Sequence, residues 1–162
     1  MATGWILRDS RADDAPWMAE LRALVMRDDL ERLGRYDSVR VRRRFLDAFE
    51  PARTRVIVVR GTDVGLIAVR FAEDCRWIEH FYLRTDHQGR GIGSAVLGYV
   101  LGEHADDERP FRLNVLRGSR AQALYEAHGF LVDDEDPIDV VMVAHTRKKA
   151  PSSSTPSGVR GM

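Results

Sequence analysis

The chain has 162 residues, of which 44% are hydrophobic, so it can form one sizeable core but is too short for two ordinary domains. Its 25 basic and 25 acidic residues balance, which argues against nucleic acid or an anionic membrane as a partner. A single cysteine, Cys75, excludes an internal disulfide framework, and no apolar run approaches the length of a membrane span. These features predict a soluble, cytoplasmic protein.

The segment 146–162 is predicted to be a disordered tail, because it is rich in proline, serine and basic residues and has little apolar surface to bury. It contains the only two lysines, Lys148 and Lys149. The dominance of arginine elsewhere suggests a GC-rich, bacterial genome. Residues 1–145 are predicted to form one domain, which is mildly acidic once the basic tail is set aside.

The first half of the chain is predicted to form one strand, two helices and a hairpin. Residues 5–7 suggest a short strand, and a second helix is expected at 38–49. Strands at 54–60 and 64–71 flank a turn at 61–63, which is a hairpin signal. The first helix is indicated by an apolar stripe at helical spacing, formed by Trp17, Leu21, Leu24 and Val25.

The second half continues with a third extended segment at 76–84, a glycine-rich turn at 88–93 and a helix to about His104. A strand at 111–116 and a helix from Ala121 to Gly129 follow. The last strand is expected at 138–145, after an acidic loop at 133–136, with a short strand at 130–132 as an additional option. The order β-α-α-β-β-β-α-β-α-β predicts an α/β fold with helices layered on a mixed sheet.

The glycine-rich turn is the first candidate for a binding site. A strand that runs into a glycine turn and then a helix presents backbone N–H groups and the positive end of the helix dipole, which together bind phosphate. Glycines in such a turn can equally serve tight turns or helix packing. The P-loop and the dinucleotide-binding spacings are both absent.

Two sequence blocks together resemble the GNAT superfamily of N-acetyltransferases. Residues Gln88-Gly89-Arg90-Gly91-Ile92-Gly93 match its [Q/R]-x-x-G-x-[G/A] signature, between a strand at 77–83 and a helix from Ser94. About 25 residues farther on, the stretches 113–121 and 124–130 resemble its second block. The resemblance covers roughly residues 4–145 and implies a single-domain fold with a central mixed, mostly antiparallel sheet.

The resemblance also implies acetyl-CoA as the acyl donor. Main-chain groups of Phe81, Tyr82 and Leu83 would pair with the pantetheine amides. The pyrophosphate would be held by Gln88, Gly89, Arg90, Gly91, Ile92, Gly93 and Ser94, with Arg90 adding charge. One departure is Ser119, which stands where the family often has asparagine and offers fewer hydrogen bonds.

Acyl transfer to an amine needs a neutral amine and a proton for the departing thiolate. Tyr125 matches the family's usual proton donor; the alternative is ordinary packing of a helix tyrosine. Glu79 is the candidate base, because a carboxylate in an apolar strand destabilises the fold unless it is solvated, paired with a cation or needed for catalysis. Strand alternation places it on the same side as Trp77 and Phe81, and the alternative is an ion pair with an arginine.

The remaining titratable residues are assigned structural or surface roles. His80 is interpreted as a core histidine, and His87 and His128 as polar surface residues in turns. No cluster of residues has metal-ligand spacing, so no metal is predicted. Cys75 has no activating base nearby in sequence, and the resemblance implies direct transfer without an acyl-enzyme.

The acceptor is expected to lie between residues 26–36 and 133–136, by analogy with the family. Both stretches are rich in acidic residues, which predicts a cationic amine; the alternative is a solvated acidic surface. The sequence thus predicts an N-acetyltransferase acting on a primary amine of a small molecule or a protein, with a homodimer in keeping with the family. The alternatives are a non-catalytic acyl-CoA sensor and, less favoured, a nucleotide-binding regulator.

Overall fold

Short segments rich in β-branched and aromatic residues pair into one sheet in the computed structural model, which describes residues 4–145. The sheet has seven strands in the order β1-β2-β3-β4-β5-β7-β6. Only β4 and β5 pair in parallel among these described strands. The strands are β1 (Trp5–Asp9), β2 (Thr54–Val59), β3 (Thr62–Phe71), β4 (Arg76–Leu83), β5 (Phe111–Leu116), β6 (Leu131–Glu135) and β7 (Asp139–Ala144).

Four α-helices cover the sheet: α1 (Ala15–Arg32), α2 (Ser38–Ala48), α3 (Ile92–Gly102) and α4 (Ala121–Ala127). Pro16 lies in the first turn of α1, where its missing N–H costs nothing. The Asp37 carboxylate caps α2 by accepting hydrogen bonds from the N–H groups of Val39 and Arg40 at 3.0 and 2.9 Å. No helix within residues 4–145 is long and apolar enough to cross a membrane.

The sheet separates two hydrophobic layers. One contains the largest cluster, in which residues of β3, β4, β5 and β7 pack against α3 and α4 around fully buried Val96, Leu97, Phe130 and Met142. The other contains Met18, Leu21 and Phe45 of α1 and α2 against Val56 and Leu66 of the sheet. Each helix pair thus buries one face against one side of the sheet.

The predicted element order is confirmed, with β6 as a strand longer than the short one considered. Residues 133–135 belong to β6, so the predicted acidic loop at 133–136 is wrong for most of its length. Val132 pairs with Met142 of β7, and the acidic residues continue this ladder along the sheet edge with their side chains exposed. The true loop is short, and the Asp136 carboxylate holds it by accepting from the N–H groups of Ile138 and Asp139.

The buried stripe of α1 also differs from the prediction. Leu24 is 62% exposed, whereas Met18 is completely buried. The helix presents Met18, Leu21 and Val25 to the sheet, at spacings of three and four residues. The predicted stripe therefore wrongly included Leu24 and omitted Met18. The predicted tail at 146–162 lies outside the described residues.

Candidate active site

Strand β4 contains a β-bulge at Glu79. Ile78 pairs with Val69 of β3, and His80 pairs with the next residue, Ala68, which leaves Glu79 as the extra residue. Ile78 and Phe81 consequently pack against the same hydrophobic layer, the one beneath α3 and α4. The prediction that Glu79 shares a face with Phe81 is therefore wrong, because the bulge interrupts the alternation on which it depended.

Strands β4 and β5 separate immediately after this bulge. They pair only at Arg76–Ile78 and Phe111–Leu113. Beyond that point β4 stays paired with β3 as far as Leu83, while β5 stays paired with β7 as far as Leu116. A gap opens in the sheet between residues 79–83 and 114–116.

The main chain of β4 offers hydrogen-bonding groups to this gap. The N–H of Arg84 donates to the Val64 carbonyl of β3 at 2.8 Å. Because antiparallel partners alternate, the main-chain groups of Tyr82 also face β3, whereas those of Phe81 and Leu83 face the gap. The Leu83 carbonyl accepts a hydrogen bond from the Gln88 side chain at 2.8 Å, which ties the glycine turn to the end of the strand.

The glycine turn between β4 and α3 has the geometry of an anion site. Gly89 and Gly91 have φ angles of 75° and 82°, a backbone conformation that other residues adopt only with strain. The first helical hydrogen bond of α3 runs from the N–H of Ala95 to the carbonyl of Gly91. The N–H groups at 92–94 precede it and lie at the positive end of the helix dipole.

Tyr125 of α4 is 7% exposed and lies beside the gap. Its ring centroid is 6.5 Å from that of Phe81 and 5.7 Å from that of Phe130. Its hydroxyl has no hydrogen-bond partner within residues 4–145. Burial, with a further contribution from the nearby Tyr82, raises the pKa of Tyr125, so the phenol keeps its proton at neutral pH.

The comparisons with known proteins agree with this geometry. A family profile described as Acetyltransferase (GNAT) domain matches residues 52–132, half of the chain. The chain belongs to the GNAT family. No curated protein matches it at the level of sequence.

Solved structures share the GNAT fold at low sequence identity. The PaiA N-acetyltransferase of Thermoplasma acidophilum, in complex with coenzyme A, is 16% identical with a TM-score of 0.69, over 88% of this chain and 99% of that one. The ribosomal-protein-S18-alanine N-acetyltransferase of Escherichia coli is 14% identical, also with a TM-score of 0.69, over 93% and 99%. An acetyltransferase of Thermus thermophilus is 19% identical with the same TM-score, over 88% and 97%.

Glu79, the predicted base of this GNAT domain, is held by two arginines. Its Oε2 is 2.8 Å from the Nε of Arg70, and its Oε1 is 3.5 Å from the Nε of Arg53. The ion pair considered as the alternative from sequence is therefore present. The role of Glu79 as a base stays a prediction.

A partly buried chain of hydrogen-bonded side chains on the α1 and α2 side of the sheet was not predicted from the sequence. The Tyr82 hydroxyl accepts from the Nε of Arg22 at 3.0 Å and lies 3.0 Å from the Nδ1 of His80. Arg22 also donates to the Val41 carbonyl of α2. Burial, aided by the charge of Arg22, lowers the pKa of His80 to about 4, so its ring is neutral. Its contact with Phe45 and its hydrogen bond to Tyr82 are consistent with the interpretation as a core histidine. The one sequence signal for these hydrogen bonds was the spacing of His80 and Tyr82, which lie two residues apart and so on the same face of β4.

Two predicted coenzyme-contacting serines have protein partners. Ser119 accepts a hydrogen bond from the N–H of Ala121 at 3.2 Å and so supports the start of α4. Ser94, in the first turn of α3, lies 2.9 Å from the Nε2 of His128 at the end of α4. His128, interpreted from sequence as a surface residue, is partly buried against α3.

The acidic residues near the predicted acceptor side are mostly paired with arginines. Glu135 of β6 binds Arg117 at 2.8 Å, and Asp133 binds Arg112. Two further carboxylates, at the end of α1, are paired within their own helix, Asp29 with Arg32 at 2.9 Å and Glu31 with Arg27 at 3.1 Å. These pairs offset much of the negative charge on which the prediction of a cationic acceptor was based.

No group of three metal-ligating side chains lies close enough to hold a metal ion in the described part of this GNAT domain. Cys75 is buried, and burial raises the pKa of its thiol, with a further contribution from Asp74. A buried, protonated thiol is a poor nucleophile. This environment does not favour covalent catalysis at Cys75.

Proposed function

We propose that the chain is an N-acetyltransferase that transfers an acetyl group from acetyl-CoA directly to a primary amine of a small molecule or a protein. The observation that supports this best is the gap between β4 and β5 with Tyr125 at its side. It combines exposed main-chain groups, an anion-binding turn and a buried phenol without a protein partner within residues 4–145.

The residues around the gap suit an acyl-CoA donor. Phe81 and Leu83 direct main-chain groups into the gap, where amides of an extended pantetheine arm could pair with them as an added strand would. Gln88 would act indirectly, by fixing the Leu83 carbonyl. The N–H groups of the turn and of the first turn of α3 would bind the pyrophosphate, and the exposed Arg90 would add charge.

In the proposed reaction a neutral amine attacks the thioester carbonyl, the C–N bond forms and the C–S bond breaks. Tyr125 donates its phenolic proton to the departing sulfur. The support for this role is its place beside the gap and its hydroxyl without a protein partner within residues 4–145. The amine loses one proton, and Glu79 is the proposed acceptor of that proton, directly or through water.

The role of Tyr125 can be tested by measuring thiol release from acetyl-CoA with a panel of amines. We expect Tyr125→Phe to lower kcat by about 100-fold, the usual scale for losing a general acid, while coenzyme affinity changes little. Tyr99→Phe is the matched control, because Tyr99 lies on α3 with 53% of its surface exposed, and it should stay within about twofold of the wild type. Equal rates in the wild type and Tyr125→Phe would exclude the proposed acid.

The same assay tests the base and the acceptor. Loss of activity in Glu79→Gln, recovered at high pH where the amine is already neutral, would support Glu79 as the base. Preference for anionic or neutral amines would exclude a cationic acceptor. Tight coenzyme binding with no thiol release from any amine would favour the non-catalytic sensor, for which the only supporting feature is Ser119 in place of asparagine.

A further inference from the structure

Ser94 and His128 form a contact that links the coenzyme turn to the helix of Tyr125. The Oγ of Ser94 lies 2.9 Å from the Nε2 of His128, across 34 residues of sequence. Ser94 sits in the first turn of α3, next to the N–H groups proposed to bind pyrophosphate. His128 directly follows α4, three residues after Tyr125.

The position of the His128 ring is well determined by its surroundings. The main-chain N–H of His128 donates to the Tyr125 carbonyl at 3.0 Å, which fixes the backbone at the end of α4. Its ring lies over Gly98 of α3, where the Cε1 atom would be 3.5 Å from a Cβ, an ordinary van der Waals distance. The imidazole therefore packs on α3 within reach of Ser94.

The direction of the hydrogen bond between the two side chains decides what Ser94 can offer to an anion. If the Ser94 hydroxyl donates to a neutral His128, the hydroxyl presents only lone pairs, which repel a phosphate oxygen. If Nε2 carries a proton and donates to Ser94, the hydroxyl hydrogen is released to donate to phosphate. A doubly protonated His128 enforces the second arrangement and adds a positive charge.

We infer that His128 is a positioning residue that orients the Ser94 hydroxyl toward the coenzyme pyrophosphate and that takes up a proton when the coenzyme binds. This inference rests on the proposed function, since it requires an acyl-CoA at the turn. Binding and protonation are reciprocal, so the coenzyme binds more tightly as the pH falls and His128 becomes protonated.

The other charged groups around this contact are few. On α4, Glu126 lies two residues before His128 and bonds Gln122 at 3.4 Å. On the turn before α3, Arg90 is exposed. Within residues 4–145, His128 has no carboxylate partner, whereas His87, the other histidine near the turn, lies 2.9 Å from Asp86. His87 is therefore the one alternative source of pH dependence beside the turn.

The experiment measures binding of dephospho-CoA by titration calorimetry from pH 5.5 to 8.5, in two buffers of different ionisation enthalpy. Dephospho-CoA lacks the monoester phosphate that would itself titrate near pH 6. The wild type should bind about 5- to 10-fold more tightly at the low end of this range and should take up a fraction of a proton. In His128→Gln, whose amide donates without titrating, both the proton uptake and the pH dependence should disappear.

Three further variants separate this role from a structural one. His128→Phe keeps the ring packing but should weaken binding about fivefold at pH 6, the scale of one lost hydrogen bond. Ser94→Ala should reduce the pH dependence to the part that comes from the charge of His128, and His87→Gln should retain it in full. Thermal unfolding by circular dichroism checks that each variant is folded.

Persistent proton uptake in His128→Gln, an undiminished pH dependence in Ser94→Ala, or loss of the uptake in His87→Gln would overturn the inference while leaving the proposed function intact. A wild type that binds equally at all pH values would do the same. A wild type that binds no coenzyme would overturn the proposed function and this inference with it.

Discussion

Tyr125 and His80 are titratable side chains that burial keeps in their neutral forms. Both lie at the gap or next to it, and each has a pKa moved away from neutrality, upward for the phenol and downward for the imidazole. Their difference lies in hydrogen bonding: the ring of His80 is bonded to Tyr82, whereas the Tyr125 hydroxyl has no partner within residues 4–145. An unpaired buried donor is costly in a folded protein, which supports a role for Tyr125 in binding or catalysis.

The lowered pKa of His80 predicts a loss of stability in mild acid. The pKa of His80 is about 4 in the folded state and 6.5 ordinarily. Between these two pH values the unfolded chain binds a proton at His80 that the folded chain does not bind. Stability therefore falls as the pH drops from about 6.5 towards 4. In His80→Asn the side-chain oxygen can still accept from Tyr82 but cannot titrate, so this loss should shrink by about 2 kcal/mol.

Urea unfolding at pH 4.5 and 7.5 measures this difference. His145→Gln is the control, because His145 is exposed at the end of the described chain and should leave the pH dependence of the wild type unchanged. An identical acid loss in His80→Asn and the wild type would show that His80 is not the source.

Strands β3 and β4 approach each other closely at the end of β4, the strand that borders the gap. Gly65 of β3 pairs with Leu83, and a Cβ on Gly65 would lie 2.3 Å from the Tyr82 carbonyl oxygen. The obstacle is backbone, which cannot move aside as a flexible side chain does. Because Gly65 has no side chain, β3 can pair this closely with the last residues of β4. This pairing positions the main-chain groups of β4 that are proposed to bind pantetheine.

Gly65→Ala should consequently displace the end of β4. We expect a loss of about 2 to 3 kcal/mol in the free energy of unfolding, the scale of overpacking, and a weaker affinity for coenzyme A. Gly102→Ala is the matched control, since nothing lies within 4 Å of its Cβ position in α3 and alanine favours helix. Denaturant unfolding and coenzyme titration measure both effects, and equal stability of the two variants would contradict the backbone clash.

Hydrogen bonds connect the end of α1 with the segments that follow β5 and β6, near the open end of the gap. Arg32, at the end of α1, donates to the Arg117 carbonyl after β5 at 2.7 Å and to Asp29 at 2.9 Å. Arg117 in turn bonds the Asp136 carbonyl at 2.9 Å, which joins the turn between β6 and β7. This connection links the two stretches predicted to line the acceptor.

Arg32→Met should loosen this end of the molecule without disturbing the coenzyme turn. We expect the acceptor KM to rise about 3- to 10-fold while the Kd for coenzyme A stays constant, because the lost hydrogen bonds lie on the acceptor side only. Arg44→Met is the control, since Arg44 is exposed on α2 and lies outside both stretches. Steady-state kinetics with a single amine give the acceptor KM, and a coenzyme titration gives the Kd. A parallel rise in the KM and the Kd would contradict this prediction.

The sequence by itself determined the family, the element order and the position of the coenzyme turn. These follow from local features: alternating apolar residues, helical stripes and glycines at 89 and 91 that adopt positive φ angles. The resemblance to the GNAT family singled out Tyr125 among the apolar residues of its helix. Such signals survive in a single sequence because each depends on residues close together along the chain.

The tertiary structure alone decided how the site residues are partnered. The bulge at Glu79 turned Phe81 away from it, and arginines from two separate segments hold its carboxylate. Pairing between Ser94 and His128, and between Arg22 and Tyr82, joins residues 34 and 60 positions apart. Strand register and long-range side-chain contacts depend on how the whole sheet and its helices pack, and no local pattern encodes them.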